Sequence, residues 1–246
     1  MTVEKKRSNQ DRSILFPPLI EGTLLKRYKR FLADVKLEDG SVVTAHCPNS
    51  GSMKTCSQPG AKVWISKSDN PKRKLKYSWE LIDTGDSLVG INTLTPNRLV
   101  KKCVENGIIQ ALGGYETVKP EVKTGEGTRL DLMLEKSSGQ RCYIEIKNCT
   151  LVENRVAMFP DAVTDRGRKH LEALAELSRQ GHRTVIFFII QRMDADLFSP
   201  AAHIDPGYAR TLAETMECGV ELMIRDTRID TEKVMLNRPV PFDPSL

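Results

Sequence analysis

The sequence lacks any apolar run long enough to cross a lipid bilayer. Its first twelve residues are polar and charged, and they lack the apolar stretch of a secretory signal. Both absences argue against a membrane protein and against a secreted one. From the sequence we therefore expect a cytoplasmic protein that does not interact with a membrane.

Paired metal-binding cysteines are also missing, because none of the six cysteines forms a C-x-x-C pair or has histidine partners at zinc spacing. Reduced, mostly buried thiols are the expectation for a cytoplasmic chain. The sequence contains no glycine-rich phosphate loop, no evident helix-turn-helix and no internal repeat. The sequence therefore argues against a protein that recognises a specific DNA operator.

What the chain does have is an ordinary globular composition, with 39% apolar residues among 246. Its net charge of +5 is unevenly distributed. The first ninety residues hold 16 Lys and Arg against 10 Asp and Glu, whereas charges balance almost evenly in the remainder. An excess of positive charge in the first third indicates an anionic partner, of which nucleic acid is the commonest.

The first domain is predicted to be a small β-barrel. Residues 1–13 read as a flexible, charged leader, and residues 14–93 read as about five short strands separated by turns. That pattern suits a barrel of the OB type, and an SH3-like barrel is the alternative. Pro96 supports a domain boundary nearby.

The second domain, residues 94–246, is predicted to be α/β with a mixed sheet, in the order α-β-β-β-α-β-α-β. The apolar spacing at 97–112 predicts a helix with Asn97 as its N-cap. Residues 163–180 and 205–218 predict two more helices. The nearly continuous apolar run at 183–191 is typical of a strand buried on both faces.

Polar residues interrupt two of the predicted strands of this domain. Asp131 lies within the apolar segment 130–134, and Glu145 and Lys147 lie within 142–147. The turn between these segments predicts a β-hairpin, in which residues two apart share a face. Two carboxylates and a lysine on one side of adjacent strands are typical of a divalent-cation site.

The chemistry of such a site is phosphodiester hydrolysis. Asp131 and Glu145 would hold Mg²⁺ or Mn²⁺, which polarises the phosphate and lowers the pKa of an attacking water. Lys147 would orient that water or offset charge on the phosphorus. The structural alternative is an edge hairpin whose charged residues simply face solvent.

Basic residues elsewhere are candidates for nucleic-acid binding. Arg166 and His170 share a face of the predicted helix at i,i+4, where they could meet a phosphate. The barrel adds two basic groups, formed by Lys26, Arg27, Lys29 and Arg30 and by Lys72, Arg73, Lys74 and Lys76. Aromatic residues lie among them, and Trp64 and Trp79 are expected either to stack on bases or to fill the barrel core.

Several longer segments together resemble a known family. They are residues 27–34, 47–53, 92–93, 129–131, 143–147 and 159–167. In these segments the chain resembles the bacterial and archaeal sugar fermentation stimulation protein A family. The arrangement of Asp131, Glu145 and Lys147 also looks like the core of the PD-(D/E)XK nuclease superfamily.

The resemblance implies an OB-like barrel followed by a nuclease-like domain, non-specific DNA binding and a regulatory role in maltose metabolism. It places the superfamily's metal pair at Asp131 and Glu145 and its lysine at Lys147. A further acid often comes from the first core helix, for which Glu105 is the candidate, with Glu121 as a rival. The proline of the superfamily name is absent, because Leu130 precedes Asp131.

Three functions remain open from the sequence. The first is a non-specific DNA-binding protein with a nuclease-like metal site, and the second is a Mg²⁺- or Mn²⁺-dependent nuclease acting on DNA or RNA. The third is a sugar-linked regulator that senses a small ligand. Many nuclease-like domains pair across a two-fold axis, so a homodimer is one of the oligomeric states left open.

Overall fold

The computed structural model describes residues 12–125 and 128–245, so most of the predicted leader lies outside the described residues. The first strand, β1 (Ser13–Leu15), pairs antiparallel with residues 233–235 near the end of the chain. It therefore belongs to the sheet of the second domain. In the structure the barrel begins after it, a few residues later than the predicted start at residue 14.

The first domain is a closed barrel. Its strands are β2 (Leu19–Tyr28), β3 (Leu32–Leu37), β4 (Val42–His46), β5 (Lys62–Lys67) and β6 (Tyr77–Asp83), and β7 (Leu88–Gly90) extends the sheet beside β6. Strand β2 pairs with β3 and β5, β3 pairs with β4, and β5 pairs with β6. A parallel pairing between β4 and β6 closes the barrel. The predicted OB fold is confirmed, and the SH3-like alternative is not.

The second domain is built on a mixed seven-stranded sheet. Its elements are α1 (Leu94–Glu105), β8 (Thr117–Gly125), β9 (Thr128–Glu135), β10 (Arg141–Cys149), β11 (Leu151–Glu153), β12 (Val156–Phe159), α2 (Asp165–Arg179), β13 (Arg183–Ile190), β14 (Leu197–Pro200), α3 (Pro206–Glu217), β15 (Glu221–Ile229) and β16 (Lys233–Pro239). The sheet order is β1-β16-β15-β13-β10-β9-β8, with β10, β13 and β15 parallel. Strands β11, β12 and β14 form a separate small sheet.

Helix α1 covers one face of the large sheet, and α2 and α3 cover the other. Strand β13 shows this division, because its successive side chains enter opposite cores. Val185 and Phe187 pack in the core that contains Leu99 of α1, whereas Ile186 packs with Leu171 of α2. The prediction of a strand buried on both faces is confirmed, because the apolar side chains of β13 are covered on both sides of the sheet.

The first helix differs from its prediction at both ends. It begins at Leu94 rather than Asn97 and ends at Glu105, and only a short 3₁₀ turn at Gln110–Leu112 follows. Pro96 fits because a proline is tolerated in the first helical turn. Gly107, at φ +64°, takes the chain out of the helix. Asn97 is therefore inside the first turn, and its side chain is available for another contact.

Buried hydrogen bonds join the two domains. Gln191 Nε2 donates to the carbonyl oxygens of Gly90 (3.3 Å) and Asn92 (3.2 Å), and Gly90 N donates to the Gln191 carbonyl at 2.9 Å. Arg192, also buried, donates to Thr55 Oγ1 at 3.2 Å. These contacts fix the barrel against the large sheet of the second domain. No helix in the described part of the chain is long and apolar enough to cross a membrane.

The close approach at Gly90 generates a stability prediction. A Cβ at this position would lie 2.5 Å from Gln191 Oε1, and Gln191 is buried and hydrogen-bonded, so it has little room to move. We expect Gly90→Ala to lower the free energy of unfolding by about 1–3 kcal/mol, measured by urea denaturation. The control is Gly125→Ala, where a Cβ meets open space. Equal effects of the two substitutions would contradict this account.

Candidate active site

Strands β9 and β10 separate at the position of the predicted acids. Their ladder pairs Leu132 with Ile144 and ends there, so that Asp131 and Glu145 are the next opposed residues. The Asp131 carboxylate lies in the gap, where its Oδ2 accepts from the backbone N–H of Ile146 at 2.8 Å. A side-chain oxygen thus replaces a strand carbonyl in the ladder. The two carboxylates line the same cleft.

Helix α1 contributes a second contact to Asp131. Asn97 Nδ2 donates to Asp131 Oδ1 at 2.6 Å. Both oxygens of the carboxylate are thereby oriented by donors from different elements. Asn97 was predicted only as a helix cap, and no sequence signal indicated this contact, which depends on packing α1 against the sheet.

Glu145, Lys147 and His170 form a compact polar group. Glu145 Oε1 accepts from Lys147 Nζ at 2.7 Å and from His170 Nδ1 in a very short contact. All three side chains are nearly inaccessible to water. Glu145 Oε2 is buried and has no hydrogen-bond partner among the described residues. One oxygen is therefore held by the protein and the other remains available to a ligand.

The electrostatics of the two carboxylates differ. Burial, together with the nearby charge of Glu145, raises the pKa of Asp131 from 3.8 to about 6. Burial also acts to raise the pKa of Glu145, but the Lys147 ammonium and His170 outweigh it, so that this pKa lies below its ordinary value. The donors around Asp131 thus offset its burial and the charge of Glu145 only in part, whereas those around Glu145 outweigh its burial.

His170 connects this group to Arg166. Its Nε2 accepts from Arg166 Nε at 3.4 Å, while Nδ1 faces Glu145. Nδ1 also lies 3.3 Å from Lys147 Nζ, so that the lysine and the carboxylate meet at the same ring nitrogen. The predicted shared face of Arg166 and His170 is present. His170, however, is directed at a carboxylate rather than standing free for a phosphate.

The cleft above these residues has a volume of about 740 Å³. Its floor holds Asp131, Glu145 and Lys147. Its walls come from both domains, and they include Arg30, the barrel loop at 49–52, Asn97, Asp161, Arg166 and His170. The barrel thus contributes directly to the cleft that contains the two acids of the second domain.

Arg27 and Asp161 fix the barrel loop in place. The Arg27 guanidinium donates to the carbonyl oxygens of Asn49 (3.0 Å), Gly51 (2.8 Å) and Ser52 (3.1 Å). From the other domain, Asp161 Oδ2 accepts from the backbone N–H of Met53 at 3.0 Å. Arg27 therefore has a structural role at these donors, and it also lines the cleft, so its predicted contact with DNA stays a prediction. Asp161 lay in a family-like segment but received no role from the sequence.

The other basic residues of the barrel have different surroundings. Lys26 pairs with Asp34 at 3.5 Å, whereas Lys29 and Arg30 form the turn after β2. Arg73 donates to Ser78 Oγ at 2.9 Å, and its neighbours Lys72, Lys74 and Lys76 are exposed. The turn after β2 and the loop before β6 open at the same end of the barrel, because β3 and β6 both flank the end of β4.

The aromatic residues of the barrel differ in burial. Trp79 is fully buried, and its indole N–H donates to the Leu81 carbonyl at 2.9 Å. Trp64 is partly buried and packs against the core of the second domain. The Tyr28 hydroxyl donates to Asp34 at 3.1 Å. The expected core role is thus observed for Trp79, and base stacking on Trp64 stays a prediction.

Neither candidate for the additional acid lies in this cleft. Glu105 is at the far end of α1, paired with Lys101 at 2.6 Å. Glu121 pairs with Arg129 at 2.7 Å and lines an adjoining cavity. Within residues 12–125 and 128–245, no group of three His, Cys, Asp or Glu side chains is arranged to hold a metal. Any cation here would rest on Asp131 and Glu145.

Comparison with known proteins agrees with this architecture. Residues 25–91 match the sequence profile described as the SfsA N-terminal OB domain. Residues 94–233 match the sugar fermentation stimulation protein RE domain. The solved structure of Pyrococcus furiosus SfsA in complex with Ca²⁺ superposes with a TM-score of 0.86 at 26% identity, covering 94% of this chain and 98% of that one.

Relatives of similar length give higher identity. A sugar fermentation stimulation protein homolog from Geobacter sulfurreducens is 53% identical, over 93% of this chain and 97% of the relative. Another from Pelobacter propionicus is 52% identical, over 92% of this chain and 97% of the relative. Both domains and nearly the full length are therefore shared. The chain belongs to the sugar fermentation stimulation protein family.

Proposed function

We propose that this protein binds DNA without sequence preference and holds a divalent cation at Asp131 and Glu145. The observation that carries the proposal is the convergence of these two carboxylates on the floor of a cleft with basic walls, where Glu145 Oε2 has no partner among the described residues. A cation neutralises such a pair, and phosphates of a nucleic acid supply further oxygens.

The donor set fits a hard cation. Mg²⁺ is commonly bound by one or two carboxylates and retains several waters, so a third protein acid is not required. Mn²⁺ accepts the same oxygen ligands. The Pyrococcus furiosus relative was solved in complex with Ca²⁺, another cation that prefers oxygen. These points support Mg²⁺ or Mn²⁺ at this site.

The surrounding residues have separate roles in the proposal. When bound, the cation would polarise a phosphodiester and lower the pKa of a water. Lys147, held by Glu145, would donate to a phosphate oxygen or to that water. Arg30 and Arg166 would contact neighbouring phosphates from opposite walls. Asn97 keeps the Asp131 carboxylate directed toward the cleft.

A nuclease is the second candidate function. The specific observation that favours it is the Lys147–Glu145–His170 group, because a purely DNA-binding surface needs no buried lysine held by hydrogen bonds next to two acids. Structured RNA and DNA are both open as substrates.

The family name also supports a regulatory role in sugar metabolism. Relatives are called sugar fermentation stimulation protein homologs. Contacts to phosphates carry no sequence information, so we infer that any effect on sugar genes, maltose genes included, follows from occupancy of DNA rather than from operator reading. The cytoplasmic location and the homodimer stay predictions.

The raised pKa of Asp131 predicts a gain in stability when its charge is removed. The folded protein binds this proton more tightly than the unfolded chain, because the pKa rises from 3.8 to about 6. Stability therefore falls as pH rises between these values. Near neutral pH and in EDTA, Asp131→Asn should raise the free energy of unfolding on the order of 2 kcal/mol. Its amide oxygen can still accept from the Ile146 N–H, and the Asn97 amide can turn so that its oxygen accepts from the new amide nitrogen.

Below the ordinary aspartate pKa the gain should vanish, because both folded and unfolded carboxyls are then protonated. The control is Asp86→Asn, at an exposed position outside the cleft, which should change little at either pH. A destabilised Asp131→Asn variant near neutral pH would refute this view of the site.

Glu145 and Glu105 offer a matched pair for the metal proposal, because each contacts a lysine and only Glu145 lies in the cleft. We expect Mg²⁺ or Mn²⁺ to raise the melting temperature of wild type and of Glu105→Gln, but not of Glu145→Gln. In the same ions, wild type should cleave plasmid DNA or structured RNA, with a rate at least about 100-fold lower in Glu145→Gln.

Two results would change the assignment in different ways. If no ion shifts the wild-type melting curve more than that of Glu145→Gln, the metal site is wrong. If wild type binds the ion but leaves every substrate intact, the nuclease candidate is removed and DNA binding alone remains.

The exposed lysines before β6 predict the salt dependence of DNA binding. Each phosphate contact contributes roughly 0.9 to the slope of log affinity against log salt on duplex DNA. Replacing Lys72, Lys74 and Lys76 by alanine should reduce that slope by about 2–3, measured by gel shifts over a salt series. The control replaces Lys62, Lys119 and Lys136 by alanine. It loses the same amount of charge elsewhere on the surface and should keep the wild-type slope. Salt-independent wild-type binding would contradict the DNA-binding proposal.

A further inference from the structure

The mouth of the cleft carries two exposed apolar side chains. Large hydrophobic residues exposed in the described part of the chain are Leu15, Leu25, Phe31, Val42, Leu94, Val163 and Met193. Among them, Leu94 and Val163 line the cleft that contains Asp131 and Glu145. Leu94 is 63% exposed and Val163 is 68% exposed. A cleft that bound only a metal ion and phosphates would not need exposed apolar side chains at these two positions.

Both side chains are held on ordered backbone. Leu94 is the first residue of α1, and its N–H donates to Asn92 Oδ1 at 3.1 Å. Val163 directly precedes Thr164, the N-cap of α2, whose hydroxyl accepts from Gly167 N at 3.0 Å. Because α1 and α2 cover opposite faces of the large sheet, the two apolar groups approach the cleft from different sides.

The composition of the cleft defines the ligand that would use this rim. Its walls carry Arg30 and Arg166, which suit an anionic backbone, whereas Leu94 and Val163 suit a flat apolar surface. A nucleotide strand presents both. In an intact duplex the bases are stacked inside and the phosphates face outward, so an apolar rim would meet only sugar and phosphate. Unpaired bases can pack against aliphatic side chains.

The barrel tryptophans take part in packing. Trp79 is in the barrel core, and Trp64 is partly buried against the core of the second domain. The charged loop at 72–76 suits phosphates. Within the described residues, Leu94 and Val163 are the large exposed apolar side chains that line the cleft with the two carboxylates.

We propose that the cleft takes an unpaired, single-stranded segment of DNA, with Leu94 and Val163 packed against its bases beside the phosphate that reaches Asp131 and Glu145. This inference rests on the proposed function, and it names the form of nucleic acid that the same site selects. Duplex DNA reaches the basic end of the barrel but cannot bring bases to the rim unless it opens.

The test compares binding of labelled single-stranded and hairpin-duplex DNA of the same sequence by fluorescence anisotropy in Ca²⁺, a cation that takes oxygen ligands, with gels to confirm that both DNAs stay intact. Wild type should bind the single strand roughly tenfold more tightly. The double variant Leu94→Ala/Val163→Ala should lose roughly tenfold in single-strand affinity, because apolar contact area is removed. Its duplex affinity should stay unchanged.

The control is Leu15→Ala/Val42→Ala, which truncates the same residue types at positions that are similarly exposed but do not line the cleft. It should bind both DNAs as wild type does. Equal losses for both DNAs in the rim variant, no loss for either, or tighter wild-type binding to the duplex would overturn the inference.

Those outcomes are distinct from failure of the proposed function. If Lys72, Lys74 and Lys76 govern salt-dependent DNA binding while the rim variant behaves as wild type, only the single-strand inference is lost. If wild type binds neither DNA, both are lost.

Discussion

The buried Glu145 carboxylate is the constraint on which the site depends. Removing an ion from water is costly unless other charges and hydrogen bonds replace the solvent. Lys147 and His170 supply that replacement at one oxygen, from β10 itself and from α2. Because the partners come from a strand and from the helix packed over it, the position of α2 on the sheet fixes the geometry of the acid. The second oxygen has no such partner among the described residues, and in our proposal it is the oxygen that binds the cation.

The position of the Asp131 carboxylate depends on a different constraint, namely the end of the hydrogen-bonded ladder between two strands. Where β9 and β10 part, the N–H of Ile146 loses its strand partner, and a buried donor must find another acceptor. The Asp131 side chain is that acceptor, which places a carboxylate beside Glu145. The same separation opens the sheet to the cleft. The hydrogen bond to the Ile146 N–H and the clustering of the two carboxylates therefore both result from the separation of these strands. The raised pKa of Asp131 is the electrostatic consequence of that clustering.

Local pattern was sufficient for some features and not for others. The hairpin, the double-faced strand β13 and the triplet of polar residues follow from periodicity two and apolar content, which are local properties. Asn97 and Asp161 act only through contacts between distant segments, so no local pattern reveals them. Arg27 shows a second limit of local pattern, because clustered positive charge indicates a surface for anions and does not reveal that this guanidinium also binds three carbonyl oxygens of its own domain.

The barrel is consequently better understood as a wall of the site than as a separate stacking module. Arg27 and Asp161 hold the loop at 49–53 from opposite domains, and Gln191 and Arg192 fix the interface behind it. A strand bound at the two carboxylates would pass this loop and continue toward the lysines before β6. Arg30 at the cleft and the lysines before β6 lie at the same end of the barrel, so that this part of the positive charge would extend the cleft in our proposal. On this view, the two domains form one binding surface, and separating them would remove a wall from the site as well as charge.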